Sequence, residues 1–381
     1  MSNALPVGVL LVQLGTPDST RVVDVRRYLR QFLSDPRVID IPAAARWLLL
    51  RGVILPFRSP RSAAAYRCIW TQEGSPLRIH TQALGRAVAE RLGPGFRVEV
   101  GMRYGNPSLA RALARLREAA VARIVILPLF PQYAASSSGS ALEASLALLA
   151  RAWNVPEVHT LGPFHAAPGF VEAVAQAARP TLETLRPDHV LLSYHGLPER
   201  QIQRGDPTGA HCLRSADCCE APPPGVRAFC YRAQCAATSE ALARALALAP
   251  GTWSMSFQSR LGRTPWIRPF TDQVLPELAA RGVRRLAVLC PSFVADCLET
   301  LEEIGIRARA QWEELGGEAF ALAPCPNASP PFADAVAAWV RDAATSPVAE
   351  AEGASAQRDA SSSRAAVAPD ANVSETPTPA T

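Results

Sequence analysis

The chain has 381 residues and a formal net charge of +5, and all 39 of its basic residues are arginines. The absence of lysine excludes a Schiff-base pyridoxal enzyme and a P-loop of the usual kind, because both use a lysine side chain. The arginines are scattered rather than gathered in a stripe, so we expect no nucleic-acid partner.

The N-terminal stretch MSNALPVGVLL lacks a charged segment and a cleavage site, and no run of about 18 apolar residues occurs in the chain. We therefore expect a cytoplasmic protein. Nine cysteines in such a protein favour metal or cluster ligands over disulfides.

Apolar, strand-like segments recur in the same order in the two halves of the chain. They are VGVLLVQLGTP (7–17), FRVEVGMRYG (96–105) and RIVILPLFP (123–131), then VLLSYHGLPER (190–200), TWSMSFQSRLG (252–262) and RRLAVLCPSF (284–293). Gly15 and Pro17 of the first segment match Gly196 and Pro198 of the fourth. Such a repeat predicts two similar units.

Stretches with helical patterning separate these segments. They cover residues 22–33, 77–91, 109–122, 140–152, 170–185, 238–248, 272–281 and 295–315. Alternating strands and helices predict an α/β fold of two Rossmann-like domains, each with a parallel sheet flanked by helices. We expect a cleft between them to hold the ligand.

The predicted domains are residues 1–165 and residues 166–344, and the second contains a Cys-rich insert at 211–235. The tail, 345–381, is rich in Ala, Ser, Pro and Thr and has almost no large apolar residue. We expect this tail to be disordered.

His195 stands at the carboxyl end of the strand in VLLSYHGLPER, where Gly196 and Pro198 turn the chain. Ligands of open α/β sheets bind outside the carboxyl ends of the strands, so this imidazole is a candidate functional group. The alternative is a structural histidine with satisfied hydrogen bonds.

Three carboxylates follow the third strand of the second half. Asp296, Glu299 and Glu303 are spaced i, i+3, i+7, which places them on one face of a helix. The alternative is a solvated acidic face near a helix N-terminus. If the row faces His195, the two together suit a divalent first-row cation that is held and then released.

The stretch RSPRSAAAYRCIWTQEGSPL (58–77) contains Arg58, Tyr66 and Ser75, and SFQSRLGRTPWIRPFTD (256–272) contains Trp266. The side chains of the first stretch suit a lip that covers a flat apolar ligand and binds its peripheral carboxylates. Those of the second stretch suit the opposite wall of the same binding site. The alternative is an ordinary surface loop whose arginine side chains lie over apolar surface.

Five cysteines lie within 24 residues of a Pro-rich loop, namely Cys212, Cys218, Cys219, Cys230 and Cys235. This density indicates ligation of zinc or of an iron–sulfur cluster, and the spacing does not separate the two.

Together these segments resemble the ferrochelatase family over nearly all of the chain from Val7 to Arg341. The motifs are LGTP, EGSPL, GMRYGNP, LPLFPQYAASSSGS, SYHGLPER, FQSRLGRTPW and FVADCLETLEE. The resemblance implies a class II chelatase fold, with two Rossmann-like halves around a porphyrin cleft. It also implies a lyase that inserts ferrous iron into a porphyrin, most simply protoporphyrin IX, in the last step of haem synthesis.

The resemblance assigns roles to individual residues. It makes His195 and Glu299 the iron site, with Asp296 and Glu303 as further acids, and Cys297 stands where the family often has histidine. Its porphyrin contacts fall on Leu14, Arg58, Tyr66, Ser75, Arg103, Tyr104 and Trp266. The insert is similar to a [2Fe-2S] segment of some bacterial members, with Cys212, Cys218, Cys219 and Cys230 as ligands and Cys235 as a substitute.

The sequence is compatible with alternative functions. They are a coproporphyrin ferrochelatase, a cobalt or nickel chelatase for another tetrapyrrole, and a porphyrin or haem carrier, which would not need the acidic row. Porphyrin and ferrous iron are the expected partners, and so apolar a substrate favours peripheral membrane contact. The sequence does not specify an oligomeric state.

Overall fold

A computed structural model describes residues 5–262 and 264–345. This part of the chain contains two four-stranded sheets. The strands are β1 (Val7–Thr16), β2 (Phe96–Gly105), β3 (Arg123–Pro128), β4 (Glu157–Thr160), β5 (His189–His195), β6 (Trp253–Gln258), β7 (Arg285–Leu289) and β8 (Ala319–Leu322). The strand orders are β2-β1-β3-β4 and β6-β5-β7-β8, and every neighbouring pair is parallel. The predicted pair of parallel sheets is confirmed.

Helices connect the strands. The α-helices are α1 (Val22–Ser34), α2 (Ala43–Leu49), α3 (Leu55–Ile69), α4 (Pro76–Leu92), α5 (Leu109–Glu118), α6 (Ser140–Leu149), α7 (Pro168–Leu185), α8 (Glu199–Arg204), α9 (Pro224–Arg227), α10 (Tyr231–Ala245), α11 (Thr271–Ala280), α12 (Arg309–Glu314) and α13 (Pro330–Thr345). Three π-helical segments are π1 (Leu50–Ile54), π2 (Ala135–Gly139) and π3 (Glu299–Ala308).

The central strands are buried because helices cover both faces of each sheet. Val9 to Val12 of β1 and Leu191 to Tyr194 of β5 have no exposed side-chain surface. Such continuous apolar runs are typical of parallel strands buried on both faces. The edge strands β4 and β8 have only four residues each and were not predicted, because runs this short carry little periodicity.

Apolar side chains of the two sheets belong to the same core cluster. It includes Leu11 and Val125 of the first sheet, Leu192 of the second, and Phe332 and Val336 of α13. Helix α13 packs against both α4 and α7. The last helix therefore joins the two halves.

Within the described residues, no helix combines the length and the apolar character needed to cross a bilayer. The tail predicted at 345–381 lies outside the described residues, except that Thr345 ends α13.

Candidate functional site

His195 ends β5, and its surroundings fix the ring. The Nδ1 atom lies 2.6 Å from the carbonyl oxygen of Gly196, which can only accept, so Nδ1 carries the proton. The backbone N–H of His195 donates to Ser292 Oγ (3.0 Å), and its carbonyl accepts from the Tyr231 hydroxyl (2.8 Å). Phe293 lies edge-on to the ring, with centroids 6.4 Å apart. In the neutral imidazole, Nε2 is therefore the atom with a lone pair for a proton or a metal ion.

Gln258 connects this strand end to the start of π3. It is the β6 residue paired with His195, and its Nε2 donates to the carbonyl oxygen of Glu299 (2.7 Å). Its Oε1 accepts from Ser193 Oγ (2.8 Å), which fixes the amide. His195 and the start of π3, which includes Glu299, thus lie at the same edge of the second sheet.

Glu303 is held by the residue that follows β6. Ser259 donates its backbone N–H to Oε1 (2.8 Å) and its hydroxyl to Oε2 (2.5 Å) of Glu303. Ser259 has φ +66°, a left-handed conformation uncommon for a residue other than glycine. This turn aims two donors at one carboxylate.

Asp296 does not share a helical face with the two glutamates, because π3 begins only at Glu299. Its Oδ2 accepts from Asn327 Nδ2 (2.7 Å), and its Oδ1 accepts from Thr300 Oγ1 (3.2 Å) and from the Cys325 N–H (3.3 Å). The prediction of one helical row of three acids is wrong in this respect. The buried carboxylate instead connects the segment before π3 to Thr300 and to residues 325 and 327.

The first part of the lip, residues 58–69, is helical, and a non-helical turn of residues 70–75 follows before α4 begins. Residues 55–69 form α3, although Pro60 lies inside it, and this proline is the reason that the sequence pattern did not indicate a helix. Tyr66 of α3 is buried, with the Trp70 ring edge-on at 6.1 Å. Ser75, the N-cap residue of α4, is also buried, and its Oγ lies 2.8 Å from Thr16 Oγ1 at the end of β1.

The lip meets π3. Leu14, Leu298 and Leu301 pack against an apolar cluster that includes Tyr66 and Tyr28. Burial first, and then the negative charge of Glu299, raise the pKa of Tyr28 far above its ordinary value. Burial likewise raises that of Tyr66, with smaller contributions from Tyr28 and Glu299. Both phenols are therefore protonated beside Glu299 at neutral pH.

Arg58 and Cys297 also border Glu299. Burial lowers the pKa of the Arg58 guanidinium, and the charge of Glu299 opposes that shift. Burial and the same carboxylate raise the pKa of the Cys297 thiol well above its ordinary value. Cys297 is therefore a neutral thiol, not a substitute for a basic histidine.

Arg103 and Tyr104 meet at Asp35 (α1 C-cap). Oδ2 of Asp35 accepts from Arg103 Nη2 (2.9 Å), the Tyr104 hydroxyl (2.7 Å) and Ser140 Oγ (2.5 Å). Burial tends to raise the pKa of Asp35, but the hydrogen bonds from Ser140, the Arg37 N–H and Tyr104, with the charge of Arg103, lower it overall. The polar atoms of Arg103 and Tyr104 thus serve a buried network.

Trp266 packs against the turn after His195. A Cβ on Gly196 would lie 2.8 Å from the carbonyl oxygen of Gln258 and 3.3 Å from Trp266 Cε3. The indole Nε1 donates to the carbonyl of Leu261 (2.9 Å). Gly196 is required here because the backbone of β6 and the indole ring approach so closely.

Asp206 organises the start of the Cys-rich insert. Its Oδ2 accepts from the backbone N–H groups of His211 and Cys212, each at 2.8 Å, and its Oδ1 accepts from Thr208 Oγ1 at 2.7 Å. Although burial opposes it, these hydrogen bonds, that from Cys212 first, place the pKa of Asp206 far below its ordinary value. His211 Nε2 in turn donates to the Cys218 carbonyl (2.8 Å).

Four of the insert thiols are neighbours. The sulfur atoms of Cys218 and Cys219 lie 3.9 Å apart, and Cys230 contacts both Cys212 and Cys219. Cys235 is in the main core beside Tyr231. Across residues 5–262 and 264–345, no three His, Cys, Asp or Glu side chains are grouped closely enough to hold a metal ion.

Several site residues were not predicted, namely Tyr28, Asp35, Asp206 and Ser259. Ser259 was open to prediction, because it directly follows the end of β6, the strand next to the one that His195 ends. Tyr28 and Asp35 belong to α1 and its cap, and no local signal relates them to residues far along the chain.

Known proteins that are similar to this chain belong to one family. The sequence model of the family "Ferrochelatase" matches residues 6–344. The ferrochelatase of Azotobacter vinelandii (strain DJ) is 50% identical over 333 residues, which cover 87% of this chain and 98% of that protein. The Coxiella burnetii (strain CbuG_Q212) ferrochelatase is 47% identical over 338 residues, covering 88% and 94%. That of Legionella pneumophila (strain Lens) is 46% identical over 335 residues, covering 88% and 98%.

Solved structures show the same fold at low identity. SirB from Bacillus subtilis with Fe3+ has a TM-score of 0.50 and 12% identity, covering 89% of this chain and 96% of SirB. The cobalt complex of the sirohydrochlorin chelatase SirB from Bacillus subtilis subspecies spizizenii has a TM-score of 0.52 and 11% identity, covering 90% and 97%. With the family match over nearly the whole described region, the chain belongs to the ferrochelatase family, the lyases that insert ferrous iron into a porphyrin in haem synthesis.

Proposed function

We propose that this protein inserts ferrous iron into protoporphyrin IX at the site that His195, Glu299 and the lip form. The observation that carries the proposal is the pairing of His195 with Gln258, which itself binds the Glu299 backbone. An imidazole with a fixed tautomer and a carboxylate thereby share one edge of a sheet. Both iron and porphyrin are substrates.

Insertion replaces two pyrrole N–H bonds by bonds to iron and releases two protons. His195 Nε2 is the general base for a pyrrole proton, and the Gly196 carbonyl stabilises the imidazolium through Nδ1–H. Glu299, beside Arg58, accepts iron or relays protons, and Glu303 continues the path toward Ser259. Asp296 holds the start of π3 in place, since its oxygens are engaged by Asn327, Thr300 and Cys325.

The porphyrin contacts are part of the same proposal. Leu14, Tyr66 and Ser75 line the lip side and Trp266 lines the opposite side, with Arg58 as a carboxylate partner. Arg103 and Tyr104 support the lip side through their hydrogen bonds to Asp35. A cleft that grips a flat ring at its edge can bend it and expose the nitrogen lone pairs.

The test is turnover of the full chain with ferrous iron and either protoporphyrin IX or coproporphyrin, with cobalt and nickel as competitors. We expect iron and protoporphyrin IX to give the fastest insertion. His195→Ala should abolish insertion but keep porphyrin binding, measured by fluorescence quenching, while His159→Ala on the edge strand β4 serves as control. Near-normal turnover of His195→Ala, or faster turnover of coproporphyrin or of another metal, would contradict the proposal, and binding without turnover would indicate a carrier.

We also infer that Cys212, Cys218, Cys219 and Cys230 would hold a [2Fe-2S] cluster. The four thiols match a cluster in kind and number, since they are soft donors in one segment whose backbone Asp206 fixes. Within the described residues they are not grouped closely enough to hold a metal ion, so binding would have to draw them together. Such a cluster, when bound, supplies a one-electron couple and a covalent cross-link of the insert. Iron and sulfide assays with an absorption spectrum test this: Cys230→Ser should lose the cluster and Cys235→Ser should keep it. A colourless protein containing zinc, or loss of the cluster in Cys235→Ser alone, would contradict this ligand set.

A cytoplasmic location with contact to a membrane surface completes the proposal. Trp47, Leu48, Val53 and Phe57 are large apolar side chains that are more than half exposed, on neighbouring turns of α2, π1 and α3. Arg51 lies over the Trp47 ring at 4.8 Å. Aromatic and apolar residues next to arginine suit the interface of an anionic bilayer.

Co-sedimentation with vesicles of phosphatidylcholine and phosphatidylserine tests this surface. Trp47→Ala with Phe57→Ala should reduce binding, whereas Trp153→Ala, which removes a fully exposed tryptophan elsewhere, should not. Equal loss in both variants, or no vesicle binding by the unaltered protein, would contradict it.

A further inference from the structure

An open groove of about 410 Å³ lies beside the Cys-rich insert. The insert contributes Arg214 and Ser215, helix α8 contributes Glu199, helix α10 contributes Arg232, and the segment after Trp266 contributes Arg268. These residues come from four separate parts of the second half, so the groove exists only in the folded chain.

The charge of the groove is unbalanced. Arg214, Arg232 and Arg268 face one carboxylate, that of Glu199. None of the three arginines forms an ion pair within the described part of the chain. Arg232 contacts Cys219 Sγ (3.2 Å), and Arg268 lies over the Phe270 ring at 4.7 Å. An excess of two positive charges therefore lines one concave surface.

We propose that this groove binds a small anion with at least two acidic groups, either a polyphosphate or a polycarboxylate. A guanidinium binds phosphate and carboxylate through two parallel N–H···O bonds. Because the three arginines lie in different segments of the chain, a ligand must have separated acidic groups to bind more than one arginine.

The bound anion should order the insert. Arg214 lies in the loop of the insert, whereas Arg232 lies in α10, the helix into which the insert runs, and Arg268 lies in the segment after Trp266. A ligand shared among them therefore ties the loop of the insert to the body of the domain. Hydrogen exchange of residues 213–216 should slow on binding, and this readout does not depend on catalysis.

The experiment is calorimetric titration of the full chain, as purified, with inorganic pyrophosphate and separately with tricarballylate. We expect one equivalent to bind, with an affinity that falls as sodium chloride is added, because the groove is open to solvent. Arg214→Gln with Arg268→Gln should weaken binding about tenfold or more, since hydrogen bonds to charged groups are among the strong ones. Binding of pyrophosphate alone identifies a phosphate site, and binding of tricarballylate alone a carboxylate site.

The matched control is Arg111→Gln with Arg117→Gln, which removes two exposed arginines from α5 in the first half. It should bind as the unaltered chain does. If the double groove variant fails to fold, Arg214→Gln alone tests the same point, because this exposed side chain has no partner in the described residues. The proposal is overturned by titrations that do not saturate, by equal weakening in groove and control variants, or by unchanged exchange at 213–216.

Discussion

Substitution of Asp35 tests whether its buried hydrogen-bond network stabilises the first half of the chain. Its Oδ2 accepts three hydrogen bonds, from Arg103, Tyr104 and Ser140, and its Oδ1 accepts one from the Arg37 N–H (2.7 Å). The Asp35 side chain is 4% exposed and that of Arg103 20%. Asp35→Ala therefore leaves a mostly buried guanidinium and a buried phenol without their acceptor.

Breaking a buried pair from one side costs about 3–5 kcal/mol, and we expect Asp35→Ala to lower the free energy of unfolding by that amount. Asp35→Asn keeps the shape and can keep its oxygen at the Oδ2 position. Its NH₂ group would then face the Arg37 N–H, so we expect a smaller loss of about 1–3 kcal/mol.

The pH dependence has a defined sign. The pKa of Asp35 is lower in the folded chain than its ordinary value, so the unfolded chain takes up the proton first as the pH falls. The stabilisation is complete above the ordinary pKa of about 4 and is lost as the pH falls through the folded value. The difference between the unaltered chain and Asp35→Asn should therefore be constant from pH 6 to 8 and shrink only in acid.

Urea unfolding followed by circular dichroism measures these differences. Asp334→Asn is the control, because Asp334 pairs with Arg91 at the surface with 65% of its side chain exposed, and an exposed pair contributes about 0–1 kcal/mol. If Asp35→Ala lowers the free energy of unfolding no more than Asp334→Asn does, the buried network does not stabilise the fold.

Three further predictions concern His189, Gly196 and Asp206. Burial lowers the pKa of His189 to about 4, so between the ordinary value of about 6.5 and pH 4 the unfolded chain binds a proton that the folded chain does not. The free energy of unfolding should therefore decrease as the pH is lowered from about 6.5 to 4. His189→Gln should flatten the pH dependence of urea unfolding in that window. Gly196→Ala should slow iron insertion and lower the unfolding free energy by about 1–3 kcal/mol, because its methyl group meets the Gln258 carbonyl at 2.8 Å; unchanged kinetics would show that the turn can move aside. Asp206→Asn should speed hydrogen exchange at His211 and Cys212 and reduce bound iron and sulfide without unfolding the sheets, and full retention of both would show that the insert does not need this carboxylate.

The sheets were predictable because β1, β3, β5 and β7 are continuous apolar runs ended by glycine or proline. The position of His195 followed from the same reasoning, since parallel strands present their carboxyl ends at one edge. The lip helix was not predictable, because Pro60 is a helix breaker in most contexts. The prediction that three acids share one helical face was only partly right, because Asp296 lies before the helix. Its position there depends on Asn327, a partner that is distant in the sequence.

The core cluster that joins Leu11 and Val125 to Leu192 and Phe332 limits how this chain can be divided. Helix α13, at the end of the chain, packs against α4 of the first half and α7 of the second. Neither half would keep its apolar surface covered alone, so the two should melt in a single cooperative transition. A gene cut in the connection between β4 and α7 would yield fragments prone to aggregate when expressed alone, and activity should return only when both are produced together.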